Sequence, residues 1–338
     1  MGLISRRRFV GGALAASVAG IGIAPRRASA AQFSFKFGHD VPATHPLQLR
    51  MEEAAKKILE ESGGRLEMRL FPNNQLGGDT DMLAQLRSGG LESMSLSGNL
   101  LSTFTKVTSV MGLGFAFPSH KQVWAAMDGD LGAHMRGAIE KFGLHAMDKM
   151  WENGFRQITS STHPINTPDD LKGFKIRVPV SPQWTSLFKA LGASPTSMNF
   201  SETYSALQTK IVDGQENALP LIEIAKLYEV QKYCSITNHM WDGFFNLVNA
   251  RAWAKLPPAL QEIMARNLDA AVLREREDLE KLNQTVQDKL KSHGMAFNRT
   301  DAAAFRSLLT KAGYYKQWKE TYGPETWGIL EKYTGPMA

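Results

Sequence analysis

At 338 residues with 43% hydrophobic side chains and a formal net charge of +6, the chain is long enough for about two domains, and its composition excludes a disordered or low-complexity protein. The charge does not mark a nucleic-acid binder: five of the 39 Lys and Arg fall in residues 1–30, which hold no Asp or Glu, leaving 34 basic against 33 acidic side chains. A single cysteine, Cys234, excludes an intramolecular disulfide and reads as a small buried hydrophobe.

The first thirty residues have the parts of an export signal. Ser5-Arg6-Arg7-Arg8-Phe9-Val10 is a twin-arginine region, residues 9–24 are a Gly- and Ala-rich apolar run, and Ala28-Ser29-Ala30 is a small-residue cleavage site. That run is shorter than the roughly 20 apolar residues that span a bilayer. Cleavage is therefore expected near Ala31. With no Cys in the segment for a lipid anchor, the product is expected free in a bacterial periplasm.

Strand and helix then alternate. Phe33, Phe35 and Phe37 share one face of a strand over 32–38, and an amphipathic helix over 46–61 stops at Gly63-Gly64. A strand over 66–71, a helix over 79–87 stopped by Ser88-Gly89-Gly90, and a strand over 91–97 follow. This order implies right-handed crossovers and a mostly parallel sheet. Ligands of such sheets sit beyond the carboxyl ends of the strands, which makes His39, Asp40, Ser97 and Asn99 candidate rim residues.

A second unit begins near Gly154. Asp169-Asp170-Leu171 reads as a helical turn and 175–178 as a strand, with Phe174, Ile176 and Val178 on the buried side. Lys175 and Arg177 share the other face, which periodicity alone leaves in water. A helix over 182–191 carries Trp184, Leu187, Phe188 and Leu191, a second starts at Ser201 as N-cap, and 212–217 is a turn leading into a strand. From 258 to 293 one apolar stripe, Leu260, Met264, Leu268, Val272, Leu279, Leu282, Val286 and Leu290, predicts a long helix interrupted on that stripe by Glu275. Its expected use is as a brace across both units, with a dimerising coiled coil as the other use.

No metalloprotease, nucleophile-elbow, phosphate-loop or dinucleotide motif is present. The eight histidines lack metal-ligand spacing on any one element. No catalytic residue, metal or cofactor is expected.

The middle of the chain resembles the solute-binding proteins of TRAP transporters (DctP-like). The resemblance runs through Gly154-Phe155-Arg156-Gln157-Ile158-Thr159, Pro164-Ile165-Asn166-Thr167-Pro168-Asp169-Asp170-Leu171-Lys172-Gly173-Phe174-Lys175-Ile176-Arg177-Val178-Pro179 and Val212-Asp213-Gly214-Gln215-Glu216-Asn217. It implies a two-lobed α/β periplasmic-binding-protein fold of class II type, with a long bracing helix and a ligand cleft between the lobes. The lobes expected are 31–153 with about 243–280, and 154–242 with about 281–338. By the same resemblance Arg177 receives a ligand carboxylate, for which a planar guanidinium is suited. Arg156 adds positive charge, Asn217 is a polar neighbour and Phe200 lies against the ligand body.

Val180 and Ser97 stand where the sialic-acid branch of that family has Asn and Glu, which argues against a large polyhydroxylated sugar acid. With Trp184 and Trp241 they point to a more apolar wall and to a hydroxy-, oxo- or aromatic carboxylic acid as ligand. The expected partners are the membrane subunits of a TRAP transporter, with a membrane sensor kinase as the alternative and an exported enzyme the remote one. A monomer is expected, with a dimer as the variant.

Overall fold

The computed structural model describes residues 31–337, so the leader expected over 1–30 lies outside the described residues. Ten strands form the sheet: β1 (Phe33–Gly38), β2 (Leu66–Phe71), β3 (Ser93–Ser97), β4 (Leu144–Ser160), β5 (Lys175–Val178), β6 (Ser194–Ser197), β7 (Gly214–Ala218), β8 (Tyr233–Ile236), β9 (Trp241–Asn249) and β10 (Ala296–Arg299). Their order is β2-β1-β3-β9-β4-β7-β5-β6, with β8 pairing β4 and β10. The expected alternation holds through β3, with helices Pro46–Glu61 and Asp79–Ser88 between the strands. His45 caps the first helix, its Nδ1 accepting from the Leu47 amide at 3.2 Å.

Parallel pairing holds where the crossovers require it, between β1 and both β2 and β3, and between β5 and both β6 and β7. It fails at the centre, where β9 runs antiparallel to β3 and β4. At 17 residues β4 serves both lobes: its first part pairs β9 up to Phe155, and Arg156–Ser160 pairs β7. The exchange of partners coincides with a register shift between Glu152 and Gly154. Gly154 has φ of +121°, which favours glycine, and a Cβ there would also crowd the Cβ of Ala218 at 3.1 Å.

The helix Pro258–Ser292 is continuous for 35 residues, roughly 50 Å at 1.5 Å per residue. Its stripe is divided between two cores. Leu260, Met264, Leu268 and Val272 pack with Phe35, Phe37, Leu47 and Met51 of the first lobe, whereas Val286 and Leu290 pack with Val212, Ile222 and Cys234 of the second. Each fully buried side chain of this size contributes roughly 1.5–3 kcal/mol. Ion pairs flank the stripe, Arg50 Nε to Asp278 at 2.7 Å and Lys289 Nζ to Glu223 at 2.6 Å. Pairing of the stripe within the chain accounts for it as a brace.

Glu275 does not break that stripe. It is fully buried on the same face, and its Oε2 accepts the Glu152 amide at 3.0 Å, beside the register shift in β4. Burial, with the neighbouring Glu152, pushes its carboxyl well above the usual range, although the amide draws it down.

The C-terminal helices Ala302–Lys311 and Tyr314–Thr334 were not read from sequence. Tyr314, Tyr315, Trp318, Tyr322 and Trp327 join the same core as Met111, Val123, Leu131, Leu187 and Phe188, and so touch elements of both lobes. Among the described residues no helix is long and apolar enough to cross a membrane.

Because Glu275 binds its proton more tightly folded than unfolded, stability falls as pH rises above the ordinary Glu range, by up to about 1.4 kcal/mol per pH unit. Urea unfolding from pH 5 to 8 is expected to show this slope in the parent and a flatter one in Glu275→Gln; equal slopes contradict it.

Candidate functional site

The carboxyl ends of strands from both lobes meet where β4 changes partners. Asp40 follows β1, Ser97 ends β3, and Asn153 and Arg156 flank the Gly154 turn in β4. From the second lobe come Arg177 on β5, Asn217 on β7, Trp184 in the helix Pro182–Ala190 and Phe200 at the start of the helix Phe200–Gln208. With Asp79, Asp242 and Phe244 these residues line one small cavity, which in this closed form holds only about 20 Å³ of free space. Hydrogen bonds cross its mouth: Asn199 Nδ2 donates to Thr80 Oγ1 at 3.1 Å, Ser102 and Ser181 hydroxyls lie 3.2 Å apart, and Gln183 Nε2 donates to the Ser109 carbonyl at 3.2 Å. The cleft is closed.

The two arginines are in opposite electrical situations. Arg156 Nη2 donates to Glu216 Oε1 at 2.8 Å and to the Glu216 carbonyl at 2.8 Å, while Nε bonds Oε2. Nη1 lies 3.5 Å from Asp242 Oδ2, and the guanidinium stacks 5.0 Å from the Trp184 ring. Burial opposes the charge on Arg156, but Glu216 more than restores it and holds the group above its ordinary value. Burial alone would raise Glu216; Arg156 and His239, whose Nε2 is 3.1 Å from Oε2, hold it below the usual carboxylate range.

Arg177 has no such partner. It is 2% exposed, Nε and Nη2 share the Met198 carbonyl at 3.1 and 2.8 Å, and among the described residues no carboxylate lies within ion-pair distance. Phe200 is 5.8 Å from its guanidinium carbon. Burial lowers it to about 10, against the pull of Glu216, so it remains charged at neutral pH. A cation in this setting calls for an anion, and the cavity is the space that Arg177 faces.

Of the other expected residues, Asp40, Ser97, Trp184, Phe200 and Asn217 line the cavity. Ser97 donates to Asp242 Oδ1 at 2.6 Å and accepts from the Asn99 amide, and Asn99 Nδ2 reaches the same Oδ1 at 3.0 Å, so Asn99 acts behind the wall. Asn217 Oδ1 accepts the Ala218 amide at 3.0 Å, holding its own turn. Three expectations are corrected. His39 is fully buried with its ring turned to Gln48 at 2.7 Å, and burial lowers it to about 4. Trp241 faces away, its indole donating to Glu152 at 2.9 Å and meeting Trp124 edge-on. Val180 is half-buried and outside the lining. Arg156 reaches the cavity, but as half of an ion pair and not as free charge.

Sequence reasoning missed Asp79, Asn153 and Asp242. Asp242 accepts from Ser97, Asn99 and Asn153, the last at 2.8 Å. An acid inside the apolar run Trp241–Asn249 was the available signal. A hollow lined by His120, Trp124, Glu152, Arg276 and Glu280 lies elsewhere, but Arg276 is paired with Asp128 and His120 with Glu152, which leaves no demand for a ligand charge. Among the described residues no group of His, Cys, Asp and Glu could hold a metal ion.

Residues 37–321 match the family model of bacterial extracellular solute-binding protein, family 7. The chain is 29% identical over 293 residues, 86% of it and 89% of the relative, to the 2,3-diketo-L-gulonate-binding periplasmic protein of Escherichia coli K12. In structure it is similar to a TRAP periplasmic solute-binding protein of Polaromonas sp. JS666 bound to D-erythronate, at TM-score 0.85 and 25% identity over 90% of this chain and 99% of that one. It is also similar to one of Sulfurospirillum deleyianum with bound succinate, at TM-score 0.84 and 27% identity over 90% and 99%.

Glu216→Gln strands a buried guanidinium and is expected to cost about 3–5 kcal/mol in urea unfolding. A loss below about 1 kcal/mol, the range of exposed pairs, contradicts the pairing described.

Proposed function

The chain belongs to the family 7 bacterial extracellular solute-binding proteins, and from that membership we propose that it is a periplasmic receptor. It takes a small organic acid by its carboxylate on Arg177 and delivers it to the membrane subunits of a TRAP-type permease. The buried, carboxylate-free guanidinium of Arg177 carries this reading. Nη1, left without a partner by the Met198 carbonyl, and the adjoining edge of the guanidinium receive the carboxylate. Charge-assisted bonds of this kind are about twice as strong as neutral ones.

Arg156 has a supporting role. Locked to Glu216, it fixes β4 against β7 and presents Trp184 to the cavity as a flat wall. The relatives' ligands, a diketo sugar acid, erythronate and succinate, each carry at least one carboxylate. Closure follows from ligand contacts on both sides: the ligand binds the closed form better because Asp40, Asp79 and Ser97 of the first lobe reach it only there. The lobes of this receptor are 31–153 with about 243–280 and 154–242 with about 281–338. Residues 1–30 serve as a cleaved twin-arginine leader, so that the folded protein is exported without an anchor.

Arg177→Ala is expected to weaken binding of the cognate acid by about 2–5 kcal/mol, a rise in Kd of roughly 30-fold or more, in calorimetry. Arg177→Lys is expected to restore only part of it, because an ammonium lacks the two-pronged geometry. Unchanged affinity in Arg177→Ala removes the basis of the reading. Arg6→Lys with Arg7→Lys is expected to abolish export of the mature form beginning near Ala31, read by fractionation and intact mass; undiminished export contradicts the twin-arginine route.

A further inference from the structure

The cavity is lined by four acids if Glu216, which stands behind Arg156, is counted with Asp40, Asp79 and Asp242, and they fall into two classes. Glu216 and Asp242 are compensated, the first by Arg156 and His239, the second by Ser97, Asn99, Asn153 and Arg156. Asp40 and Asp79 have no side-chain partner for their carboxyls; Asp79 has the Phe200 backbone amide, and both feel only the more distant charge of Arg177. They come from the first lobe, are 8% and 3% exposed, and among the described residues neither lies within ion-pair distance of any Lys, Arg or His. The Asn74 side chain donates to the Asp40 carbonyl at 3.3 Å, but among the described residues no side chain donates to the Asp40 carboxyl. Arg177, on the second lobe, lines the same cavity and is itself without a carboxylate partner. The site therefore has a cationic pole on one lobe and an acidic pole on the other, neither closed into an ion pair within the protein, and both lining the same small cavity.

Such a site sets requirements on both ends of its ligand. A carboxylate suits Arg177. At the other pole the carboxyl oxygens are acceptors, and what complements them is a hydroxyl or an ammonium. A second carboxylate there would place like charges together out of water. We propose that the site selects a monocarboxylate whose far end carries hydrogen-bond donors, held by Asp40 and Asp79, and rejects the dicarboxylate of the same length. The proposal rests on Arg177 taking the ligand carboxylate. Burial raises Asp40 well above the usual carboxylate range but Asp79 only to about 6, so that at neutral pH Asp79 carries the negative charge that a second carboxylate would meet.

The relatives do not decide the matter, since erythronate and succinate are both held on this fold. Calorimetry of the purified protein with matched acids does. At four carbons the set is D-erythronate, 4-hydroxybutanoate, 4-aminobutanoate and succinate, and the corresponding hydroxy, amino and dicarboxylic acids extend it from three to six carbons. The hydroxy and amino arms identify which donor the pair takes. At the length that binds best, a donor-bearing acid is expected to bind at least tenfold more tightly than the dicarboxylate. Asp79→Asn, and independently Asp40→Asn, are expected to shift that ratio at least tenfold toward the dicarboxylate, with the melting temperature of each variant confirming a folded protein. A dicarboxylate bound as tightly as its donor-bearing partner overturns this inference and leaves the receptor reading intact. Binding of no acid of either class overturns the receptor reading, and this inference with it.

Discussion

Burying the Arg177 guanidinium takes it out of water while the Met198 carbonyl alone bonds it, and a lone cation in a dry interior costs several kcal/mol unless an anion joins it. Much of the surrounding structure can be understood as making that position tolerable and useful. Phe200 covers the guanidinium, and Glu216, paired with Arg156, offsets the repulsion that the charge of Arg156 exerts on Arg177. The acids of the first lobe are kept near Arg177 but out of ion-pair distance. Had Asp40 or Asp79 closed onto Arg177, the protein would have satisfied itself and needed no ligand.

The placement of these groups depends on β4. A strand that belonged to only one lobe could not bring Asn153 and Arg156 to the seam between them. The shift at Glu152–Gly154 turns the strand from β9 to β7, and the backbone amide it leaves at Glu152 is taken by Glu275 of the bracing helix. A break in an apolar stripe on one element is thus the repair of a ladder irregularity on another. Both lobes are pinned to the same helix by separate cores, so the seam is located by packing far from the ligand.

What the sequence made legible follows the range of the forces involved. Alternation in β5 placed Phe174, Ile176 and Val178 inward and Arg177 opposite, because period two is a local property of the strand. It could not say that the opposite face looks into a cavity, since that face is built by β4, β7 and the far lobe. Resemblance to a family suggests a role for Arg177, and its burial without a carboxylate partner is what supports that reading. Arg156 was read as free charge because Glu216 is 60 residues away and its pairing depends on the β4–β7 register. His39 was correctly placed at a strand end, but which way its ring turns is decided by Gln48 on the following helix. Asp79 was hidden for the opposite reason: an acid in the first turn of a helix already has a local explanation in the helix dipole, so nothing marked it as facing a ligand.

The hydrogen bonds across the mouth have a kinetic consequence. Asn199 to Thr80 is a contact between small, partly wetted side chains, and bonds of this kind contribute only about 0.5–1.5 kcal/mol each. The Asn199–Thr80 contact therefore does little to slow reopening, and an acid that touches both lobes lengthens its own capture. A poor fit that engages one pole leaves before a slow downstream encounter, while one that bridges both lobes persists through it. Discrimination expressed as residence time rather than capture rate allows the mouth to remain permissive.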